Sequence, residues 1–285
     1  MNFFEKFLYA IEKYEMARPG NYGWFHLMFF FIILGITVGA CLWFYKRPND
    51  KAVRWFAFGC WAVIFTLEIG KQLIFAFEYH PETNTVEWDY AWYAFPFQLC
   101  SSPLYLLPFA AFLPEGKARK GVITFLGTFS LFGGIAVFFY PNDVFIDTVY
   151  INIQTMIHHG VQIIIGVLFL SYFRKQFTLK WFLYGLAVYG VMIGIAMILN
   201  WLIPYGTEDT FNMFYISPSY PSTLPVLSVI YPLVPYVVFF LLYLLGFSGL
   251  AIGIYYAAKG ITKLIRIIRA RIQKKKQSEE INETL

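Results

Sequence analysis

One feature constrains this chain more than any other. Runs of roughly 20 apolar residues, each long enough to cross the hydrocarbon core of a bilayer, recur along it with only short polar links between them. Seven runs read as spans: about Trp24–Tyr45, Ala52–Phe77, Ala91–Leu113, Gly121–Phe139, Tyr150–Phe173, Trp181–Ile203 and Leu227–Ala258. The last is long, and Pro232 and Pro235 give it a bent or interfacial opening. In lipid a single segment satisfies its own backbone only as a helix, so the expected fold is an all-α, polytopic, seven-transmembrane-helix bundle. The charged fraction is 14%, against about 25% in soluble domains. That excludes a soluble globular enzyme, and no composition shift or internal repeat marks a further domain.

Lys and Arg set the expected orientation. The links after spans one, three and five hold Lys46, Arg47, Lys51 and Arg54, then Lys117, Arg119 and Lys120, then Arg174, Lys175 and Lys180. The tail adds Lys259, Lys263, Arg266, Arg269, Arg271, Lys274, Lys275 and Lys276. The opposite loops are acidic, with Glu78, Glu82, Glu87, Asp89, Asp143, Asp147, Glu208 and Asp209. Seven spans place the N-terminus outside and the C-terminus in the cytosol. The net charge of +5 therefore reads as membrane topology, and no nucleic-acid partner is expected. The opening MNFFEKF mixes acid with base and does not read as a signal peptide.

Three regions follow: residues 1–20 as an outer amphipathic helix (Phe4, Phe7, Leu8 and Ile11 at helical spacing), residues 21–258 as the transmembrane domain, and residues 259–285 as a basic amphipathic cytosolic tail suited to anionic lipid. The expected location is the cell membrane, multi-pass, in a bacterial plasma membrane.

Costly polar residues inside spans point to a site, because they normally face the bundle interior. Span two carries Glu68, Lys71 and Gln72 on one helical face. The stretch AFPFQLCSSP, Ala94–Pro103, puts Gln98, Cys100, Ser101 and Ser102 at the outer mouth of span three. Span five carries Gln154, His158, His159 and Gln162; span six ends at Asn200, and Asn212 follows in the loop. All lie toward the outer side, and Cys100 and His159 fall roughly 12–15 Å inside it by helical rise.

A cysteine and a histidine at one depth can form a nucleophile and its base, and Lys71 with Asn or Gln donors can stabilise an oxyanion. At the level of phospholipid esters, acyl transfer or lipid hydrolysis is the natural reaction class. Other readings stand beside it. Glu68 and Lys71 can be a self-neutralising pair, and the amides can be interhelical glue. Cys41 and Cys60 read as small hydrophobes. A transporter or small-molecule receptor with an outward pocket on Glu68 and Lys71 is the rival function. Adjacent His158 and His159 diverge by about 100° on a helix, and no metal-ligand spacing is present, so neither a metal nor a cofactor is expected.

These residues carry a resemblance. Pro96-Phe97-Gln98-Leu99-Cys100 resembles the Pro-x-(His/Gln)-Leu-Cys signature of the YwaF-like bacterial integral membrane proteins, with Gln98 where many relatives have His. IQTMIHHG, Ile153–Gly160, resembles that family's Gln-x-x-x-x-His-Gly segment and points to His159 rather than His158. LNWLI (Leu199–Ile203), FNMFYIS (Phe211–Ser217) and YPLVPY (Tyr231–Tyr236) resemble its later segments, in order. The family is remotely similar to a mammalian TMEM-type acyltransferase acting on ether phospholipids. The resemblance implies Cys100 as the acyl-accepting nucleophile, His159 as its base, and a membrane phospholipid or acyl chain as substrate.

Overall fold

The computed structural model describes residues 2–80, 82–83, 85–141, 144–203 and 210–283, the side chains of residue 269 and residues 274–283 excepted. Asp143, Glu208 and Asp209 of the acidic loops lie outside the described residues, as do the side chains of Arg269 and Lys274 to Lys276.

The first helix, α1 (Phe3–Glu12), is closed by a capping box: the Asn2 side chain accepts from Glu5 N at 2.8 Å while the Glu5 carboxylate accepts from Asn2 N. Its Leu8 is fully buried against the bundle. Two helices follow, α2 (Trp24–Lys46) and α3 (Asp50–Ile74), the latter capped by the Asn49 side chain.

The chain then departs from the all-α expectation. Phe77, read as the end of a span, lies instead in β1 (Phe77–His80), which pairs antiparallel with β2 (Thr85–Trp88). The remaining hairpin residues read in sequence as an acidic outer loop, Glu78 to Asp89, that also carries aromatic side chains. Their role is to pack it onto α1, with Phe4–Phe77 and Tyr9–Tyr79 ring centroids 5.1 and 5.5 Å apart.

The remaining elements are α4 (Ser102–Phe112), α5 (Lys117–Phe125), α6 (Leu131–Phe139), α7 (Val149–Tyr172), α8 (Leu179–Leu202), α9 (Pro225–Ile230) and α10 (Tyr236–Glu283). A π-helical turn, Leu126–Ser130, joins α5 to α6 into one continuous span. Pro232 and Pro235 do interrupt the last apolar run, so α9 and a 3-10 turn precede α10. The helix α10 then continues unbroken across residue 258, where the tail was expected to begin.

Six helices among the described residues are long and apolar enough to cross a membrane, one fewer than the sequence suggests. The difference is Ala91–Leu113, whose only α-helix is the 11-residue α4. That segment nonetheless runs antiparallel along the whole of α3. Gln72 Nε2 donates to Ala94 O at 3.0 Å, Trp61 Nε1 to Leu104 O at 2.8 Å, and Arg54 Nη1 to Ala111 O and Leu113 O at 3.0 and 2.8 Å. The middle rung answers a defect in the sequence: Pro108 lacks the N–H that would bond the carbonyl of residue 104, and the Trp61 indole supplies a donor in its place.

Most of α7 is buried, whereas α2, α8 and α10 turn large apolar side chains such as Phe31, Val191 and Leu245 outward. The helix α7 packs against α2, α3, α5 and α6. Small residues allow the closest approaches. A Cβ on Gly134 of α6 would lie 2.8 Å from His159 O, and one on Gly160 of α7 would lie 2.3 Å from Ile33 of α2.

At the end of the bundle opposite Glu68, an ionic network ties three helices. Arg119 is 2% exposed, donates to Ala110 O and pairs with Asp50 and Glu115, while Arg54 pairs with the same two carboxylates. In sequence these arginines read only as orientation signals.

Candidate functional site

The site starts from helical spacing in α3. Residues i, i+3 and i+4 share a face, so Glu68 Oε1 accepts from Lys71 Nζ at 3.0 Å and from Gln72 Nε2 at 2.7 Å. Glu68 Oε2 accepts from Gln154 Nε2 of α7 at 2.9 Å. Both oxygens of a carboxylate that is 6% exposed are therefore held. Tyr150 O–H donates to Leu67 O beside them, in space that exists because residue 70 is glycine; a Cβ there would lie 2.0 Å from the Tyr150 oxygen. In the loop above, Tyr90 donates to Gln72 Oε1 at 2.6 Å. Burial, and then the Glu68 charge, push its phenol up to about 12, so it remains a donor.

Cys100 reaches this face by irregular backbone. Residues Trp92–Ala94 form a 3-10 turn, and helix begins only at Ser102, so Pro96 precedes the helix rather than lying in its first turn. Non-helical backbone inside a bundle is tolerated where protein or a polar cavity satisfies it. Here two donors from α7, His158 Nε2 at 2.9 Å and Gln162 Nε2, meet the Cys100 carbonyl. Cys100 is a free cysteine next to the N-terminal end of α4, within electrostatic reach of Lys71 and Glu68.

The two histidines take different tasks. His158 is tied to Cys100 O through Nε2. His159 Nδ1 lies 2.8 Å from Thr155 O, one helical turn back. A carbonyl can only accept, so that nitrogen carries the proton, and Nε2 is left as the basic nitrogen with no protein partner among the described residues.

Cys100, His158, His159, Glu68, Lys71 and Gln154 all line one cavity of about 260 Å³. Its other walls include Ser101, Thr155 and Tyr93, with Val144, Ile146 and Ile151 forming an apolar side. The α6–α7 connection carrying Ile146 is fixed by Asn152, whose amide exchanges two hydrogen bonds with the Ile146 backbone at 2.9 and 2.6 Å. Thr155 and Asn152 did not stand out in sequence; their position within one turn of the Gln154 to His159 segment is the signal that could have raised them.

Gln98, Asn200 and Asn212 are not among the residues lining that cavity. They meet one another instead around the loop that follows α8. Gln98 Nε2 donates to Asn212 O at 2.9 Å and its Oε1 accepts from Phe214 N at 2.7 Å. Asn200 bonds Met213 N and O at 2.6 and 2.9 Å, and Asn212 Oδ1 accepts from Ser217 N at 2.8 Å. Phe214 and Tyr215 sit at φ 57° and 58°, a left-handed conformation costing on the order of 1 kcal/mol or more per non-glycine residue. The amides hold that strained turn against the mouth of α4.

No group of three or more His, Cys, Asp or Glu among the described residues could hold a metal ion. A search of curated proteins and a search of solved structures each gave no match. Residues 21–256, the bundle and the cavity included, match the TMEM164 family, and this multi-pass membrane protein belongs to that family.

Proposed function

We propose that this chain is a lipid acyltransferase or lipid-active thioesterase with Cys100 as nucleophile and His159 as base. The observation that carries the reading is the shared cavity: the thiol, an imidazole with its basic nitrogen free, and an ammonium group line one wall-to-wall space. His159 Nε2 takes the thiol proton, and the thiolate attacks an acyl ester carbonyl. Lys71, with one of its three N–H donors on Glu68, turns positive charge on the resulting oxyanion. Collapse expels the alcohol, which takes the proton from His159 and leaves a thioester on Cys100. Attack by a second alcohol completes transfer; attack by water completes hydrolysis. The resemblance of the Cys100 and His159 segments to YwaF-like proteins, and remotely to a mammalian TMEM-type acyltransferase, supports the same roles. The saturated Glu68 carboxylate suits a fixed counter-charge for Lys71 better than the ligand-binding group of a transporter or receptor.

We further propose seven crossings in a bacterial plasma membrane. Ala91–Leu113 is the seventh, since it follows α3 from Gln72 to Arg54, 18 positions or about 27 Å of helix. Alternation of basic links then puts the N-terminus outside and the cavity at the outer leaflet. The decisive experiment treats the purified full chain in phospholipid nanodiscs with a β-lactone lipid electrophile. Labelling at Cys100, lost in Cys100→Ala with the fold intact, is the expected result. Undiminished labelling and acyl transfer in Cys100→Ala refute the proposal.

A further inference from the structure

A second cavity, of about 440 Å³, lies at the other end of α7. It is lined by Arg174 and Lys175, which follow α7, and by Lys259, Thr262, Lys263 and Arg266 of α10. Spacing explains the α10 contribution: positions 259, 262, 263 and 266 are i, i+3, i+4 and i+7, a single helical face. From His159 to Arg174 is 15 residues, about 22 Å along the helix direction, so this cleft is separate from the Cys100 cavity.

Five cationic groups converge there. Arg174 is preset, with Nη1 on Ser171 O at 2.8 Å and its guanidinium 5.1 Å from the Tyr45 ring centroid. Lys259 leans over the Tyr255 ring. The ion pairs of Asp50, Glu68, Glu87 and Glu115 all go to other bases, and among the described residues no carboxylate pairs with these five cations. Like charges gathered around one space repel, and an anion of more than one charge relieves that repulsion. Arg forks and Lys points of charge together suit phosphate oxygens.

The opposite faces of the same stretch of α10 expose Ile261, Leu264, Ile265 and Ile268. An amphipathic extension of this kind rests at the boundary of acyl chains and headgroups, and clustered cations beside a span favour anionic headgroups. We infer that the Arg174–Arg266 cleft is a binding site for an anion with multiply charged phosphate groups, presented at the cytosolic surface by a lipid headgroup or as a free polyphosphate.

The test uses the purified full chain in detergent with dioctanoyl phosphatidylinositol bisphosphate as probe, dioctanoyl phosphatidylcholine as neutral comparison and inorganic pyrophosphate as free anion, read by calorimetry. The bisphosphate lipid should bind at least about tenfold tighter than the choline lipid. Lys259→Ala with Lys263→Ala should weaken it about tenfold or more, Arg174→Gln should weaken it too, and Lys263→Arg should retain it. Lys6→Ala with Lys13→Ala, on the N-terminal helix, should leave it unchanged. Displacement by pyrophosphate at matching concentration supports the site with a soluble anion as occupant; tight lipid binding that pyrophosphate does not displace supports it with a headgroup. Equal binding of the two lipids, or unchanged affinity in both the Lys259/Lys263 and Arg174 variants, overturns the inference.

Discussion

His158 Nε2 lies 2.9 Å from the backbone oxygen of Cys100. Its ring therefore anchors the chain on which the thiol is carried, while the next residue turns its Nδ1 to the Thr155 carbonyl at 2.8 Å and leaves its other nitrogen unpaired. Adjacent residues on one helix point in different directions; His158 Nδ1 is likewise without a partner but is buried, so what distinguishes the two rings is that only His158 holds the Cys100 carbonyl.

The two should part in mutagenesis. His159→Gln is expected to lower acyl-transfer turnover by about 10²–10⁴ with little change in thermal stability. His158→Ala is expected to cost about 1–3 kcal/mol through lost satisfaction of buried groups, seen as a lower melting temperature in detergent. Equal turnover losses with equal melting temperatures would remove the distinction.

Glu68→Gln tests the role of the carboxylate. It leaves Lys71, which is 19% exposed at its side chain, without its counter-charge, and the expected cost is about 2–3 kcal/mol, below that of a wholly buried pair. Adding Lys71→Met should recover part of the stability but not turnover. Cys100→Ser should reduce turnover more than Glu68→Gln does. The reverse order would favour a proton-coupled carrier built on Glu68.

Asn200→Ala is expected to destabilise by about 2 kcal/mol, since it strips both backbone groups of buried Met213 of their partner. Gln98→Ala should act in the same sense through Phe214 N. In either variant the rate of Cys100 labelling at a temperature well below melting should stay near that of the parent, because neither side chain lines the cavity. A loss of labelling larger than the loss of folded protein would assign these amides to the chemistry.

Stability should also respond to pH through Glu12. Burial, and then the nearby Glu78 charge, push its carboxyl up from 4.5. A raised folded-state value means that the protonated form is favoured on folding, so its contribution is complete below the unfolded value and fades as pH rises through the folded one. Docking of α1 should loosen over that interval, measured by hydrogen exchange at Leu8. Glu12→Gln should flatten the dependence and slow exchange at neutral pH; a profile identical to the parent's would exclude Glu12 as its source.

Apolar length served well where a helix is long and continuous. The bounds of α2, α7 and α8 fall within a few residues of the expected spans because apolar length in a bilayer has one backbone solution. It missed the hairpin at 77–88, which reads as an acidic outer loop because Glu78, Glu82 and Glu87 interrupt its aromatic residues and strand pairing is not local to either run. It also failed at 91–101, where Pro96 and the aromatic residues Trp92, Tyr93, Phe95 and Phe97 are apolar enough to span but form no α-helix. The shared face of Glu68, Lys71 and Gln72 was readable because helical spacing fixes it. Gln98, Asn200 and Asn212 were placed with the site by depth alone, and depth says nothing about rotation around a helix.

The sequence by itself determined that this is a multi-pass membrane protein and which residues are too polar to face lipid, since both follow from local composition and the energetics of hydrocarbon. Only the tertiary structure decided that Cys100, His159, Glu68 and Lys71 line one cavity while the amides brace a strained loop. That partition depends on how α3, α6 and α7 pack around Gly70 and Gly134, and on non-helical backbone before α4, neither of which any single segment specifies alone.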